Sequence, residues 1–360
     1  MRVMTVHLKT LSPVFIGNSE EVVMASEYVR KGDEYFRLHE DFFYTTTSQM
    51  DFATLNKPKD FKDLGHFKNL CQVQSRYRLH NCPNIQGEVK PFIRTGMDLP
   101  YIPGSSLKGA LRSAYMINRI SNPQQLENDL QSVINHAKFV KRTTFGKLSS
   151  SLDSRTFRGQ LKNTKYHPND PQADLFRLIK ISDSSSLGKD DLQMTPVIVY
   201  TIQGNALSVK RKNPHSNQPM QINVEAIPAD TLITVRVTFD EFLEKQFTRT
   251  ISFEEILDGS IRFYKSIASK EKEFYNHYHI NRVKDFYHHI KDKQILQVGF
   301  GSGLLGNTIT SLVSKGMQCK IRNAIKHHDA PFAPKSRRLV CSNDGSPISP
   351  LGWLEVVKME

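Results

Sequence analysis

Cysteine is scarce in this 360-residue chain, and the four present (Cys71, Cys82, Cys319 and Cys341) never fall in a Cys-x-x-Cys spacing. A structural zinc site and a disulfide framework are therefore not expected, and a reducing cytoplasm suits the composition. Long apolar runs are missing as well. No stretch reaches the ~18 apolar residues of a membrane-spanning helix. The start, Met1-Arg2-Val3-Met4-Thr5-Val6-His7-Leu8-Lys9, alternates apolar and polar residues where a signal peptide would carry an apolar block. Acidic residues are outnumbered, 36 against 49 basic, for a formal net charge of +13. With 38% apolar and 24% charged residues the composition is globular, which excludes collagen-like, mucin-like and wholly disordered chains. The positive excess points to a polyanionic partner, nucleic acid ahead of an acidic membrane surface.

Catalytic signatures are also missing. There is no Gly-Lys-Ser/Thr phosphate loop, no His-Glu-x-x-His and no Gly-x-Ser-x-Gly. His277/His279, His288/His289 and His327/His328 invite a metal reading, but His288 and His289 point to different faces of a helix. No metal and no cofactor are expected. An acid–base ribonuclease would draw on His7 or His80, which spacing alone does not bring together.

What is present reads as antiparallel α+β. Residues 3–11 have the period of a strand, and a hairpin turns at Lys31-Gly32-Asp33-Glu34. Short helical patterns occur around 51–56 and 59–71. A helix from Ser105 or Ser106, either of which can cap it, runs to about 119 with Leu107, Ala110, Leu111 and Ala114 as its apolar stripe. Residues 131–170 carry eight Lys/Arg against two Asp/Glu and read as a solvated, mobile insertion. A strand over 176–183 leads to a domain boundary near Leu187–Met194. Strands follow over 197–203, 222–227 and 232–239, then a helical region over 253–292, a Gly-rich turn and a closing strand around 353–357. Domains are expected at 1–190, with insertions at about 41–100 and 120–175, and at 191–360.

Three constellations can carry chemistry. Val298-Gly299-Phe300-Gly301-Ser302-Gly303-Leu304-Leu305-Gly306 has the glycines of a loop that approaches a phosphate closely. It is open to three readings: a methyltransferase-like cofactor loop, a holder of a polynucleotide backbone, or a plain strand-to-helix turn. The second is Gly104-Ser105-Ser106-Leu107-Lys108-Gly109, continuing to Arg112. Lys108 and Arg112 share a helix face beside free amides and hydroxyls, fit for phosphates or simply for a solvated basic face. The third is a set of basic clusters: Lys138-Phe139-Val140-Lys141-Arg142, Lys210-Arg211-Lys212 and Lys335-Ser336-Arg337-Arg338. One such cluster is ordinarily a solvated face, whereas several on a +13 chain favour polyanion binding. Phe139, Phe145, Tyr166 and Phe332 are available to stack on bases, with core packing as the plainer role.

Taken in order, these motifs resemble the RAMP superfamily, the repeat-associated RNA-binding proteins of CRISPR systems. The residues that carry the resemblance are Leu11-Ser12-Pro13-Val14-Phe15-Ile16-Gly17, Tyr101-Ile102-Pro103-Gly104 through Arg112, Ile181-Ser182-Asp183-Ser184, Glu225-Ala226-Ile227-Pro228-Ala229-Asp230-Thr231, and the 298–306 loop, with Asp230 standing where the family usually has Gly. Length and the helix before the Gly-rich loop look most like the Csm-type subunit that caps the type III-A effector at the crRNA 3′ end. The resemblance implies two ferredoxin-like (RRM-like) modules with antiparallel sheets and helical insertions. It implies a non-catalytic, cytoplasmic crRNA-binding subunit that supports crRNA 3′-end maturation beside target RNA, a backbone RAMP subunit, a small helical subunit and host nucleases. RNA contacts are expected from Ser105, Ser106, Lys108, Arg112, Lys141, Arg142, Lys210, Arg211, Lys212, Gly299, Gly301, Ser302, Gly303, Lys335, Arg337 and Arg338. The alternative within the family is an endoribonuclease cutting crRNA precursor or target RNA.

Overall fold

Period-two alternation builds the first sheet. In β1 (Arg2–Thr10) the side chains of Val6, Leu8 and Thr10 are buried while their neighbours are half-exposed, so one face packs and the other meets solvent. The structure, a computed structural model, describes residues 1–18, 22–23, 28–39, 75–80, 88–137, 140–159, 161, 170–213, 215–326, 333–342 and 344–360. The helical patterns expected around 51–56 and 59–71 lie outside the described residues, as do Lys138, Phe139, Tyr166, His327, His328 and Phe332.

After β1 come β2 (Val22–Val23), β3 (Tyr28–Lys31), β4 (Glu34–Leu38), β5 (Ser75–Leu79) and β6 (Glu88–Lys90), then the helices α1 (Gly104–Asn118), α2 (Pro123–His136) and α3 (Gly146–Phe157). The chain continues through β7 (Ile179–Ile181), β8 (Gln193–Gln203), β9 (Ala206–Val209), β10 (Gln221–Ala226) and β11 (Leu232–Phe239). Next are α4 (Glu241–Glu244), α5 (Phe253–His277), α6 (Asn281–Ile290), β12 (Ile295–Gln297), α7 (Gly303–Asn307) and α8 (Lys315–Lys326). β13 (Ser336–Cys341), β14 (Pro347–Ser349) and β15 (Trp353–Met359) complete it.

The first sheet has the order β12-β15-β1-β11-β7 and is antiparallel throughout. Traced along the chain, β1, α1, β7, β11, α5 and β15 alternate as β-α-β-β-α-β. Val6, Leu8, Val235, Val237 and Val356 from the sheet meet Leu107, Leu111, Phe253 and Leu257 from α1 and α5. Gly259 lets those helices approach, since a Cβ there would lie 2.9 Å from the Tyr115 ring. Trp353 is wholly buried, with the rings of Tyr264 and Tyr287 edge-on to it at 6.2 and 5.7 Å.

The second sheet has the order β14-β13-β8-β10-β6-β2, with β9 folded onto β8 and one parallel pairing, β10 with β6. The near-continuous apolar run of β8 is buried on both faces, as befits its central place. This sheet does not repeat the β-α-β-β-α-β alternation, for no helix stands between β8, β9 and β10. A third sheet, β3-β4-β5, is tied to the second through Glu225 of β10. That carboxylate, fully buried, accepts from Tyr28 Oη (2.5 Å), Tyr77 Oη (2.8 Å) and the Phe92 amide (3.0 Å).

Several expectations change. The boundary near Leu187–Met194 falls between the two main sheets, but it does not part the chain into modules 1–190 and 191–360. β11, β12 and β15 share a sheet with β1 and β7, and β2 and β6 share one with β8 and β10. The cause is β1, whose nine residues need hydrogen-bond partners on both edges and find them in β11 and β15. The 131–170 insertion, where described, is not loose. Val140, Phe145 and Phe157 are buried, which gives Phe145 the core role. The 253–292 helix breaks at His279, whose φ of +57° closes α5. The 176–183 strand shortens to β7, preceded by 3-10 turns.

Candidate nucleic-acid interface

The segments 101–104 and 181–184 are packed against each other. The Ile102 amide donates to Ser184 Oγ (2.9 Å) and the Gly104 amide to Asp183 Oδ1 (2.8 Å). Asp183, a residue far along the chain, thus takes the capping role expected of Ser105 or Ser106, which lie inside the first turn of α1. Gly104 is needed there, because a Cβ would sit 2.2 Å from the Ile181 carbonyl oxygen.

The two cations expected to meet RNA from this helix are half-buried and bonded to groups of the chain itself. Arg112 makes two forks, to Asp153 (3.0 and 2.8 Å) and to Asp174 (3.1 and 2.9 Å). Its guanidinium lies 4.0 Å from the Phe157 ring centre. Burial works against its charge, and the two carboxylates more than offset that, raising its pKa. Lys108 Nζ donates to the Ile179 carbonyl; burial lowers its pKa, against the pull of Asp174.

The Gly-rich loop also has internal work. Gly299 (φ +69°) lies against the 11–17 segment, where a Cβ would come within 2.3 Å of the Phe15 carbonyl oxygen. The Phe300 amide donates to that oxygen at 2.9 Å. A Cβ on Gly301 (φ +109°) would lie 3.0 Å from Leu351 Cβ. Gly303 (φ +61°) differs: nothing lies within 4 Å of the Cβ position, so its backbone is open to a ligand. β12, before this loop, joins an antiparallel sheet, unlike the parallel βαβ setting a methyltransferase loop needs.

Beside the loop lies a groove of about 610 Å³. It is lined by Gly301, Ser302 and Gly303, by α8, by the start of β13 and by Lys210. It gathers Lys210, Lys335, Arg337 and Arg338 from the expected set and adds Arg322 and Lys326 from α8. Among the described residues its one lining carboxylate, Glu271, is occupied by a fork from Arg337 (2.8 and 2.9 Å) in which both side chains are almost buried. Burial opposes the Arg337 charge and Glu271 outweighs it, so its pKa is raised. Arg338 lies over the Phe300 ring at 4.7 Å, and burial lowers its pKa. Among the described residues no carboxylate pairs with Lys210, Lys326, Lys335 or Arg338. Ile267, Leu305, Ile321 and Ile325 give it an apolar part.

The remaining expected residues stand apart. Lys141 and Arg142 begin a 3-10 turn before α3, and Lys141 is exposed. Arg211 and Lys212 are exposed in the loop after β9, where Arg211 bridges to Pro219. His7 and His80 each meet a carboxylate, Glu360 at 2.7 Å and Glu34 at 3.0 Å. Among the described residues no three His, Cys, Asp or Glu side chains converge on a metal position.

Sequence reasoning missed α8, and with it Arg322 and Lys326. The signal was there: Met317, Ile321 and Ile325 repeat at helical spacing. α2 braces this helix, with the Ser314 amide donating to Glu127 Oε1 (2.5 Å) and Lys320 Nζ to Gln131 Oε1 (2.9 Å).

The RAMP superfamily pattern matches residues 7–304. A Methanocaldococcus jannaschii protein described as CRISPR system Cms protein Csm5 is 24% identical over 315 residues, covering 77% of this chain and 67% of that protein. One of the same description from Mycobacterium tuberculosis is 23% identical over 231 residues, 55% of this chain; the match spans only 58% of that relative's length. Among solved structures, a chain of a type III-A Csm-crRNA-target RNA ternary complex superposes with a TM-score of 0.68 at 22% identity, covering 98% of this chain and 100% of that one. The crystal structure of T.onnurineus Csm5 gives 0.61 at 19% identity, covering 97% and 100%. At these identities the likeness is one of fold.

Proposed function

The chain belongs to the RAMP superfamily, and on that premise we propose that it is a non-catalytic crRNA-binding subunit of a type III-A Csm effector complex in a prokaryotic cytoplasm. In this reading it caps the backbone at the crRNA 3′ end and supports maturation of that end. Its neighbours are crRNA, target RNA, a backbone RAMP subunit and a small helical subunit, with host nucleases recruited for trimming. We read the first sheet, with α1 and α5, as one ferredoxin-like module into which the second sheet is inserted.

The observation that carries the RNA assignment is the groove beside Gly303. Chain segments far apart in sequence deliver Lys210, Lys326, Lys335 and Arg338 to one place, and among the described residues the only carboxylate lining it is already neutralised by Arg337. Phosphates are the complementary ligand. The relatives support the choice of RNA and of complex, since their descriptions name CRISPR systems and crRNA.

The test is binding of labelled crRNA, intermediate and mature, by the purified chain at two salt concentrations with and without Mg²⁺, reading shift and cleavage on the same gels. Salt-sensitive binding with intact RNA is expected. Cleavage that survives repurification and is lost in a point variant would replace this reading with the endoribonuclease one.

A further inference from the structure

Two glutamines in the groove have no part in gripping phosphates. Gln297 and Gln318 are only 4% and 9% exposed and both line the groove. Gln297 Nε2 donates to the Leu351 carbonyl at 3.1 Å, and Gln318 Nε2 to the Val313 carbonyl at 3.0 Å. Because both partners are carbonyls, each amide must turn its NH₂ to them, which leaves each Oε1 as an acceptor. Among the described residues no donor satisfies either oxygen, and neither is sealed from solvent. Gly306 keeps this space clear, for a Cβ there would lie 2.9 Å from Gln297 Oε1. The same groove is lined by the aliphatic side chains of Ile267, Leu305, Ile321 and Ile325 and by the cations named above.

An aliphatic lining with two acceptors suits a flat, apolar-faced group that carries N–H donors. We propose that the groove holds one unstacked nucleobase of a single-stranded RNA, with Gln297 and Gln318 as specificity-determining acceptors. The inference rests on the RNA-binding reading above. Adenine and cytosine offer an exocyclic NH₂ at the pairing edge, whereas uracil offers a single ring N–H there. The groove therefore prefers amino-bearing bases, by about threefold to tenfold, the effect of one net hydrogen bond.

Fluorescence anisotropy of the full chain with labelled oligo-A, oligo-C and oligo-U of one length tests this. Oligo-A and oligo-C are expected to bind about threefold to tenfold more tightly than oligo-U. The near-isosteric Gln318→Met should bring the three affinities together. If that variant does not fold, adenines of oligo-A are replaced one at a time by abasic sites in RNA bound to the unaltered protein. One position should then lose affinity by a similar factor and its neighbours little, and a flat scan overturns the proposal. Equal, salt-sensitive binding of all three RNAs, or a preference that persists in Gln318→Met, overturns it while leaving RNA binding intact. Absence of salt-sensitive binding to any RNA would instead remove the RNA-binding reading itself.

Discussion

Replacing Arg112 by alanine separates two roles for one residue. Its position four residues after Lys108 in a basic helix start suits a phosphate contact, whereas its forks to Asp153 and Asp174 make it part of the fold. The side chain is 26% exposed and its partners 31% and 19%, so the pair is neither a surface bridge worth ~0–1 kcal/mol nor fully desolvated. Truncation strips two carboxylates of their cation and Phe157 of its stacked guanidinium. With hydrogen bonds to charged groups at ~1.5–3 kcal/mol, discounted for exposure, the loss is about 2–4 kcal/mol. At ~2.1 cal/mol/K of unfolding entropy per residue, a chain this long loses roughly 3–5 °C of Tm. RNA binding, measured as the slope of log affinity against log salt, should not change. The double variant Lys335→Ala/Arg338→Ala should do the reverse, flattening the slope by about 1.4 at ~0.7 per single-strand phosphate contact with little effect on Tm. If Arg112→Ala flattens the slope by about 0.7 with no fall in Tm, then RNA displaces the carboxylates and the reasoning is refuted.

Glu225→Ala should cost about 3–5 kcal/mol by leaving Tyr28, Tyr77 and the Phe92 amide without their buried acceptor, read by urea unfolding, and Glu225→Gln should recover part of it. Gly299→Ala, whose Cβ meets the Phe15 carbonyl, should destabilise by ~3 kcal/mol or more, against ~1–2 for Gly303→Ala, which strains only φ; equal costs in the same unfolding assay would discount the close approach. Burial raises the pKa of Tyr28, Tyr77, Tyr264, Tyr275 and Tyr287. A raised folded-state value means their contribution to stability is full below the ordinary 10.0 and is lost as pH climbs above it. Absorbance at 295 nm should therefore show these five ionising together with unfolding, and their smooth titration near pH 10 in folded protein would contradict their burial.

Local patterns in the sequence were enough for the strands of β1, β8, β10, β11 and β15, the β3–β4 hairpin and the body of α1, because period two, period 3.6 and turn residues act within a few neighbours. The excess of basic charge and the choice of Gly-rich loop are equally local, and Lys210, Lys335 and Arg338 were named from them. What only the tertiary structure decided is which charges are spent. Arg112 meets Asp153 and Asp174, and Arg337 meets Glu271, across 41 to 66 residues of chain, and no spacing rule reports such meetings. The glycines divide in the same way. Gly299 and Gly104 exist for backbone segments brought up from residues 15 and 181, while Gly303 faces open space. The sheets interleave the two halves of the chain because strand edges seek partners by length and hydrophobic face, irrespective of order. The groove is the product of that interleaving: β12, β13, α5 and α8 meet there only once β15 has paired with β1.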